Sequence, residues 1–215
     1  MKPTIFLLIS LFFLGGCVSQ QGWWQEVFVD EAVVDENLVN YALPENGAVI
    51  YVSEANPNHP GSTLNNGITS SENWANGEGW EARFDGRYGV RRNVMPIEGE
   101  NITSAPMGWV IIEFPQEHLI GKVVIYTIDS PEYPAKKYGI NSVQLQYWIQ
   151  YKYAGMEVKG WRNINRSDKR IGQQFDSIRR NTEGKIVFRF KPVSTSKIRL
   201  LVLWTNDSEK YKLGT

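Results

Sequence analysis

The sequence has little of what most catalytic and metal centres are built from. Of its 215 residues one is cysteine and two are histidine. A single cysteine excludes an intrachain disulfide framework and any multi-cysteine zinc site. His59 and His118 are too few for a histidine-rich metal centre. Charge of one sign is not in excess either: 23 Lys and Arg face 23 Asp and Glu, so the basic surplus of a dedicated nucleic-acid binder is missing. There is no G-x-S-x-G, no H-E-x-x-H, no phosphate-cradling glycine loop and no Cys/His couple. Aromatic residues, by contrast, are plentiful. Eight Trp, ten Tyr and nine Phe exclude global disorder, because disordered chains carry little aromatic material to bury. The length fits one domain with a short appendage.

The N-terminus carries the most specific pattern. Lys2 precedes an apolar run over residues 5–14 that only Ser10 interrupts. Ten residues are too few for a stable membrane-spanning helix, which needs about 20. Leu14-Gly15-Gly16-Cys17 follows at once. It resembles a bacterial lipobox, and residues 1–16 are accordingly expected to be a lipoprotein signal peptide. The small Gly15 and Gly16 give a protease access to the backbone, and the Cys17 sulfur is the nucleophile that takes the lipid. Val18 rather than Asp after the cysteine favours, by resemblance to enterobacterial sorting, the outer membrane. The expected location is therefore the bacterial cell envelope, with the protein held to its membrane by a lipid anchor.

Residues 17–40 read as an acidic tether, with Glu26, Asp30, Glu31, Asp35 and Glu36 and no Lys or Arg. Trp23-Trp24 suit either a membrane interface or packing on the domain. The helical candidate within the chain, residues 27–39, is short. The rest, residues 41–215, reads as β. Val143, Leu145, Tyr147, Ile149 and Tyr151 alternate with Gln144, Gln146, Trp148 and Gln150, the period of a strand with one apolar face. Ile186, Phe188 and Phe190 alternate with charged neighbours. Ile198, Leu200, Val202 and Trp204 do the same, which puts Arg199 and Thr205 outward. Residues 109–114 and 122–128 are strand-length apolar runs, joined by a turn-bearing connection over residues 115–121. Several strands with Gly, Pro and Asn punctuation imply an all-β, antiparallel sandwich. Residues 75–108 show no convincing strand, and a loop of that length is usually functional or disordered.

Four stretches in order carry a family resemblance. They are Leu64-Asn65-Asn66-Gly67-Ile68-Thr69 with Trp74; residues 109–114 with residues 120–126; Val143-Gln144-Leu145-Gln146-Tyr147 with Trp161; and residues 196–202. They resemble the discoidin domains, the coagulation factor V/VIII type C modules of the galactose-binding-like class, over residues 40–205. The resemblance implies a jelly-roll sandwich that binds without catalysing, gripping glycans, lipids or proteins with loops at one end. It also assigns Trp74 and Trp109 to core packing. In many relatives a structural calcium sits near the Asp-Gly loop. Here that Asp is Asn66, and no counterpart of the family's last strand, which carries a ligating Glu, is recognisable before Thr215, so no cofactor is expected. The sandwich is expected either to close without that strand or to belong to a fragment.

Sugar capture needs an aromatic face against pyranose C–H bonds, with planar donors and acceptors for hydroxyls. The residues of that kind in the implied loops are His59, Trp80, Arg83, Arg87, Tyr88, Arg91 and Tyr133, with Glu54 and Asn56 beside His59. Each equally suits a bland role, the arginines and His59 as solvated loop residues and Trp80 as a plug in the sandwich end. A second patch is basic: Arg162, Arg166, Lys169 and Arg170 lead seven Lys or Arg between residues 159 and 180, against Asp168 and Asp176. It suits an acidic polysaccharide or an anionic protein face, or simply a solvated hairpin. The expected partner is thus a carbohydrate, or alternatively another envelope protein in an assembly role. A glycoside hydrolase using Glu78, Glu81 or Asp85 is the remaining enzymatic reading.

Overall fold

The computed structural model describes residues 38–53, 55–82, 106–165 and 177–207. By internal contacts the chain divides into residues 1–39 and 40–215, and all five strands belong to the second unit. They are β1 (Val49–Val52), β2 (Gly108–Tyr126), β3 (Ile140–Tyr153), β4 (Met156–Asn163) and β5 (Lys185–Thr205). The sheet order is β1-β2-β5-β3-β4, with every pairing antiparallel. Helix among the described residues is limited to the turn Ala135–Tyr138 and three short 3-10 turns. The expected all-β, antiparallel class is what the chain adopts.

The apolar run over 109–114 and residues 122–126 of the second run prove to be halves of one strand, and the second layer of the sandwich comes from folding that strand over. An extended run as long as β5 would span about 70 Å. Yet Asn206, just past its end, donates to the carbonyl of Asn181, just before its start, at 3.0 Å. β2 and β5, paired along their length, must therefore bend back together. The bend lies where their register slips, between Glu113 and His118 and again between Ile120 and Lys122. Pro115 and Pro192, which lack a ladder donor, sit in this stretch. Such slips bend a strand and tolerate proline.

Folding the ribbon brings Phe114 and Ile120 of β2, Val143 and Leu145 of β3, and Ile186, Phe188, Phe190 and Ile198 of β5 into one core. Phe188 and Val143 are fully enclosed. The alternation seen in the sequence supplies these residues, each from the inward side of its strand. Trp74 and Trp109 are only half-buried and lie outside this cluster.

The opposite face of β3 and β5 corrects one expectation. Arg199 does not point to solvent but is 3% exposed. Its Nε and Nη2 both donate to Oε1 of Gln146, and its guanidinium carbon lies 4.4 Å from the Trp161 ring centroid. Gln144 and Gln146 in turn donate to Oδ1 of Asn163, at 2.7 and 2.8 Å. A buried guanidinium is tolerated here because its donors and the amides around it are paired. Trp204, expected inward with Val202, is 42% exposed at the end of β5.

Candidate functional site

The fold gathers its long connections at one end. Met107 and Thr127 flank the two ends of β2, and both meet the residues around Thr205 and Ile140. Met107 N donates to Val202 O, Thr205 Oγ1 lies 3.9 Å from Met107 Sδ, and Ile140 N donates to Thr127 Oγ1. The connections that follow β1, β2 and β4, together with the end of β5, therefore emerge on this side, the one after β4 returning where Asn181 N donates to Asn141 O. The bend of β2 and β5 closes the other side.

Within the first connection, residues 55–82 fold on themselves. Asn56 N donates to Glu81 O and Glu81 N to His59 O. Asn56 Nδ2 also donates to Glu81 Oε2 at 2.7 Å. The 3-10 turn Trp74–Asn76 ends on Gly77 at φ 91°, where a Cβ would come within 2.6 Å of Asn58 O. Only glycine satisfies both that angle and that approach. The closure seats the His59 ring on the Trp74 indole, with centroids 4.1 Å apart and planes 20° from parallel. His59 Nδ1 is buried and has no hydrogen-bond partner among the described residues.

The other sequence-predicted residues fall elsewhere. Trp80 packs on the first residue of β2, its Cη2 so close that a Cβ on Gly108 would meet it at 2.8 Å. Tyr133 lies in the connection after β2, its ring edge-on to Tyr138 at 5.6 Å. The Glu132 carboxylate accepts its hydroxyl and, with its negative charge, raises the phenol above its usual value near 10. Arg162 is exposed on β4, opposite Tyr147. Cys17, Arg83, Arg87, Tyr88, Arg91, Arg166, Lys169 and Arg170 lie outside the described residues.

A cleft of about 550 Å³ opens at this same end, between residues 69–72, the turn after β2 and the start of β5. None of its lining was among the sequence candidates. Four of its hydroxyls are held the same way. Ser71 Oγ accepts Asp129 N at 2.9 Å, Ser70 Oγ accepts Glu72 N, Ser130 Oγ accepts Tyr133 N, and Thr127 Oγ1 accepts Ile140 N. A hydroxyl that accepts from a backbone N–H keeps its own hydrogen to donate. Three carboxylates, Glu72, Asp129 and Glu183, add acceptors, against one ammonium, Lys185. Asp129 is fixed further by Ala135 N, which donates to its Oδ1 at 3.0 Å. The half-exposed ring of Tyr126 contributes an aromatic surface, with Lys185 Nζ 5.9 Å from its centroid. The His59–Trp74 stack lies close by along the chain, since Trp74 N donates to Ser71 O.

Among the described residues no three His, Cys, Asp or Glu side chains gather to hold a metal ion. Where the resemblance would put calcium, Asn66 Nδ2 donates to Glu78 Oε1 at 2.7 Å and Asn66 Oδ1 accepts Ile68 N. That pairing spends the oxygens on amide donors, whereas calcium takes six to eight oxygens directed at itself.

No protein-family model matches the chain, and no curated protein does. Several solved structures are similar in outline. A fucose-binding module of Streptococcus pneumoniae matches at 13% identity and TM-score 0.43, covering 79% of this chain and 90% of its own. The family 32 carbohydrate-binding module of Clostridium perfringens NanJ, solved with galactose, matches at 10% identity and TM-score 0.42, covering 76% and 87%. The lectin domain of lectinolysin, solved with the Lewis b antigen, matches at 10% identity and TM-score 0.43, covering 78% and 88%.

Proposed function

We propose that the chain is a non-catalytic saccharide-binding module whose ligand lies in the cleft between residues 69–72, the turn after β2 and the start of β5. The observation that carries this reading is the set of four hydroxyls that accept backbone N–H groups and so keep a hydrogen to donate, together with three carboxylates that accept. A sugar hydroxyl both donates and accepts, so a wall alternating fixed donors and acceptors complements a polyol. Tyr126 supplies the apolar surface for pyranose C–H bonds, the usual companion of a few placed polar groups in such sites. Three carboxylates against one ammonium oppose a uronate or sialylated ligand and favour a neutral one. The resemblance to glycan-binding discoidin modules supports the same reading as analogy. Residence on the bacterial envelope through Cys17 rests on the lipobox pattern. An acyl mass increment on Cys17 in the membrane-extracted chain is expected, and its absence would remove the anchor from this reading.

Calorimetric titration of the full chain with a panel of neutral and anionic oligosaccharides tests the site. Binding of at least one neutral sugar is expected, with Tyr126→Ala weakening it about tenfold or more, as for loss of one aromatic contact. Failure of every neutral sugar to bind, or binding indifferent to Tyr126, would refute the assignment.

A further inference from the structure

The end of the sandwich remote from the cleft has a surface of its own. β3 pairs with β5 only as far as Tyr147 opposite Ile198. From Trp148 to Tyr153 it pairs with β4 alone. A two-stranded ribbon thus runs beyond the core and closes on Ala154–Gly155, at φ 48° and 81°. Partners in antiparallel register share a face. One face of the ribbon is Ile149 with Gly160, Tyr151 with Val158, and Tyr153 with Met156. The other is Gln150 with Lys159 and Lys152 with Glu157. The apolar face continues the side of β3 that packs on the core at Tyr147, but past the core's end. Tyr151, Tyr153 and Met156 are 51%, 68% and 65% exposed.

Leu119 belongs to this end as well. It is 69% exposed and pairs with Ser194, whose neighbour Thr195 donates from Oγ1 to Trp148 O at 2.9 Å. The chain also joins the domain here, for Tyr41 stacks on His118 of the bend at 3.9 Å.

We propose that this ribbon docks on a lipid bilayer surface, with Tyr151, Tyr153 and Met156 in the interfacial layer. Three observations select lipid as the occupant. At about 200 Å² for a large side chain, the exposed parts of these three residues amount to about 400 Å². Two copies pressed together would bury on the order of 800 Å², short of the roughly 1,200 Å² of a stable interface. A bilayer needs no matching relief, and tyrosine favours the interfacial layer. On the polar face two lysines meet one carboxylate. Glu157 is engaged by Lys159 at 3.6 Å and Gln150 at 2.9 Å, and the surplus positive charge on this end of the ribbon attracts an anionic surface within a Debye length. Finally, residues 17–40, the tether that the lipobox reading attaches to lipid at Cys17, end beside Tyr41, which stacks on His118 at this end. The ribbon contact stands on its own geometry and does not depend on the saccharide reading. Together they turn the cleft away from the membrane.

The test uses the full chain with Cys17→Ser, so that one introduced thiol carries a nitroxide, bound to phosphatidylethanolamine–phosphatidylglycerol vesicles. With the label at Ala154→Cys, relaxation by oxygen, which concentrates in lipid, should exceed relaxation by a water-soluble nickel complex. At Asn76→Cys, beside the cleft, the order should be reversed. Adding Tyr153→Ser and Met156→Ser should return the Ala154 label to the water-exposed pattern. Three results would overturn the proposal: a label at 154 as open to nickel with vesicles as without, insertion unchanged by the double substitution, or shielding or spin–spin broadening at 154 without lipid. The last would identify a protein contact or a second copy instead.

Discussion

Gly184→Ala is the substitution through which the architecture of the cleft is most sharply tested. Gly184 begins the approach to β5, and its carbonyl accepts Thr127 N at 2.9 Å. A Cβ there would stand 2.4 Å from Asp129 Oδ2, 2.5 Å from Asp129 Cβ and 2.8 Å from Cγ. Turning the carboxylate aside would clear the oxygen but not Cβ, so the backbone of the turn after β2 has to shift. Asp129 is what ties that turn to its neighbours, through Ser71 Oγ at 2.9 Å and Ala135 N at 3.0 Å. Overpacking of this kind costs about 1–3 kcal/mol, and each hydrogen bond lost adds about 1 kcal/mol. The expected loss is about 2–4 kcal/mol, or a fall in Tm of about 4–16 °C for a chain of this size. Urea unfolding followed by tryptophan fluorescence measures it. The discriminating comparison is a pair of double variants. Asp129→Gly in the Gly184→Ala background removes the opposing Cβ and should bring the added cost of the alanine below about 1 kcal/mol, whereas Asp129→Ala retains that Cβ and should not. A Gly184→Ala protein within about 0.5 kcal/mol of the parent, or equal relief by both Asp129 variants, would refute the geometry.

Two further outcomes follow from side chains away from the cleft. The Glu132 carboxylate that accepts the Tyr133 hydroxyl raises the phenol's pKa. The stability it contributes is therefore present below about pH 10 and declines as pH rises through the raised value. Carbon-13 titration of the Tyr133 ring should show this, with Glu132→Gln lowering the midpoint; no change on that substitution would contradict the assignment. Arg199→Met removes the guanidinium from Gln146 and from the face of Trp161. It should cost about 2–4 kcal/mol in urea unfolding, and a neutral result would show that the buried polar layer is not needed for stability.

The inward residues of the sandwich were legible because strand periodicity is a local property. Val143 and Leu145, or Ile186 and Phe188, announce their face by alternation alone. What surrounds a face is not local, and alternation carries no record of it. Arg199 occupies an outward position by period, yet Gln146, Asn163 and Trp161 enclose it from two other strands. Tyr151 continues the apolar phase of β3 but outruns the third strand, so the same pattern yields a core residue at Leu145 and a bare one at Tyr151. The bend that makes two layers from one ribbon shows only as Pro115, Gly121 and Pro192, which read equally well as an ordinary turn.

The cleft was invisible for a related reason. Its three walls are more than 50 residues apart along the chain, and each alone looks like a solvated loop. Thr69-Ser70-Ser71 and Asp129-Ser130 were the available signal, but hydroxyl-rich stretches are common wherever the backbone turns. His59 and Trp80 stand out in the sequence instead, because aromatic residues are conspicuous in a glycine-rich region. His59 does sit beside the cleft, on Trp74, whereas Trp80 covers the start of β2.

Amide shift mapping of the nitrogen-15-labelled chain during titration with a neutral oligosaccharide tests the assigned cleft most directly. Movement concentrated at Ser70–Glu72, Thr127–Ser130 and Glu183–Lys185, with Ala154 unmoved, is the predicted result. Saturable binding that leaves those three segments still, or that centres on the β3–β4 turn, would contradict it.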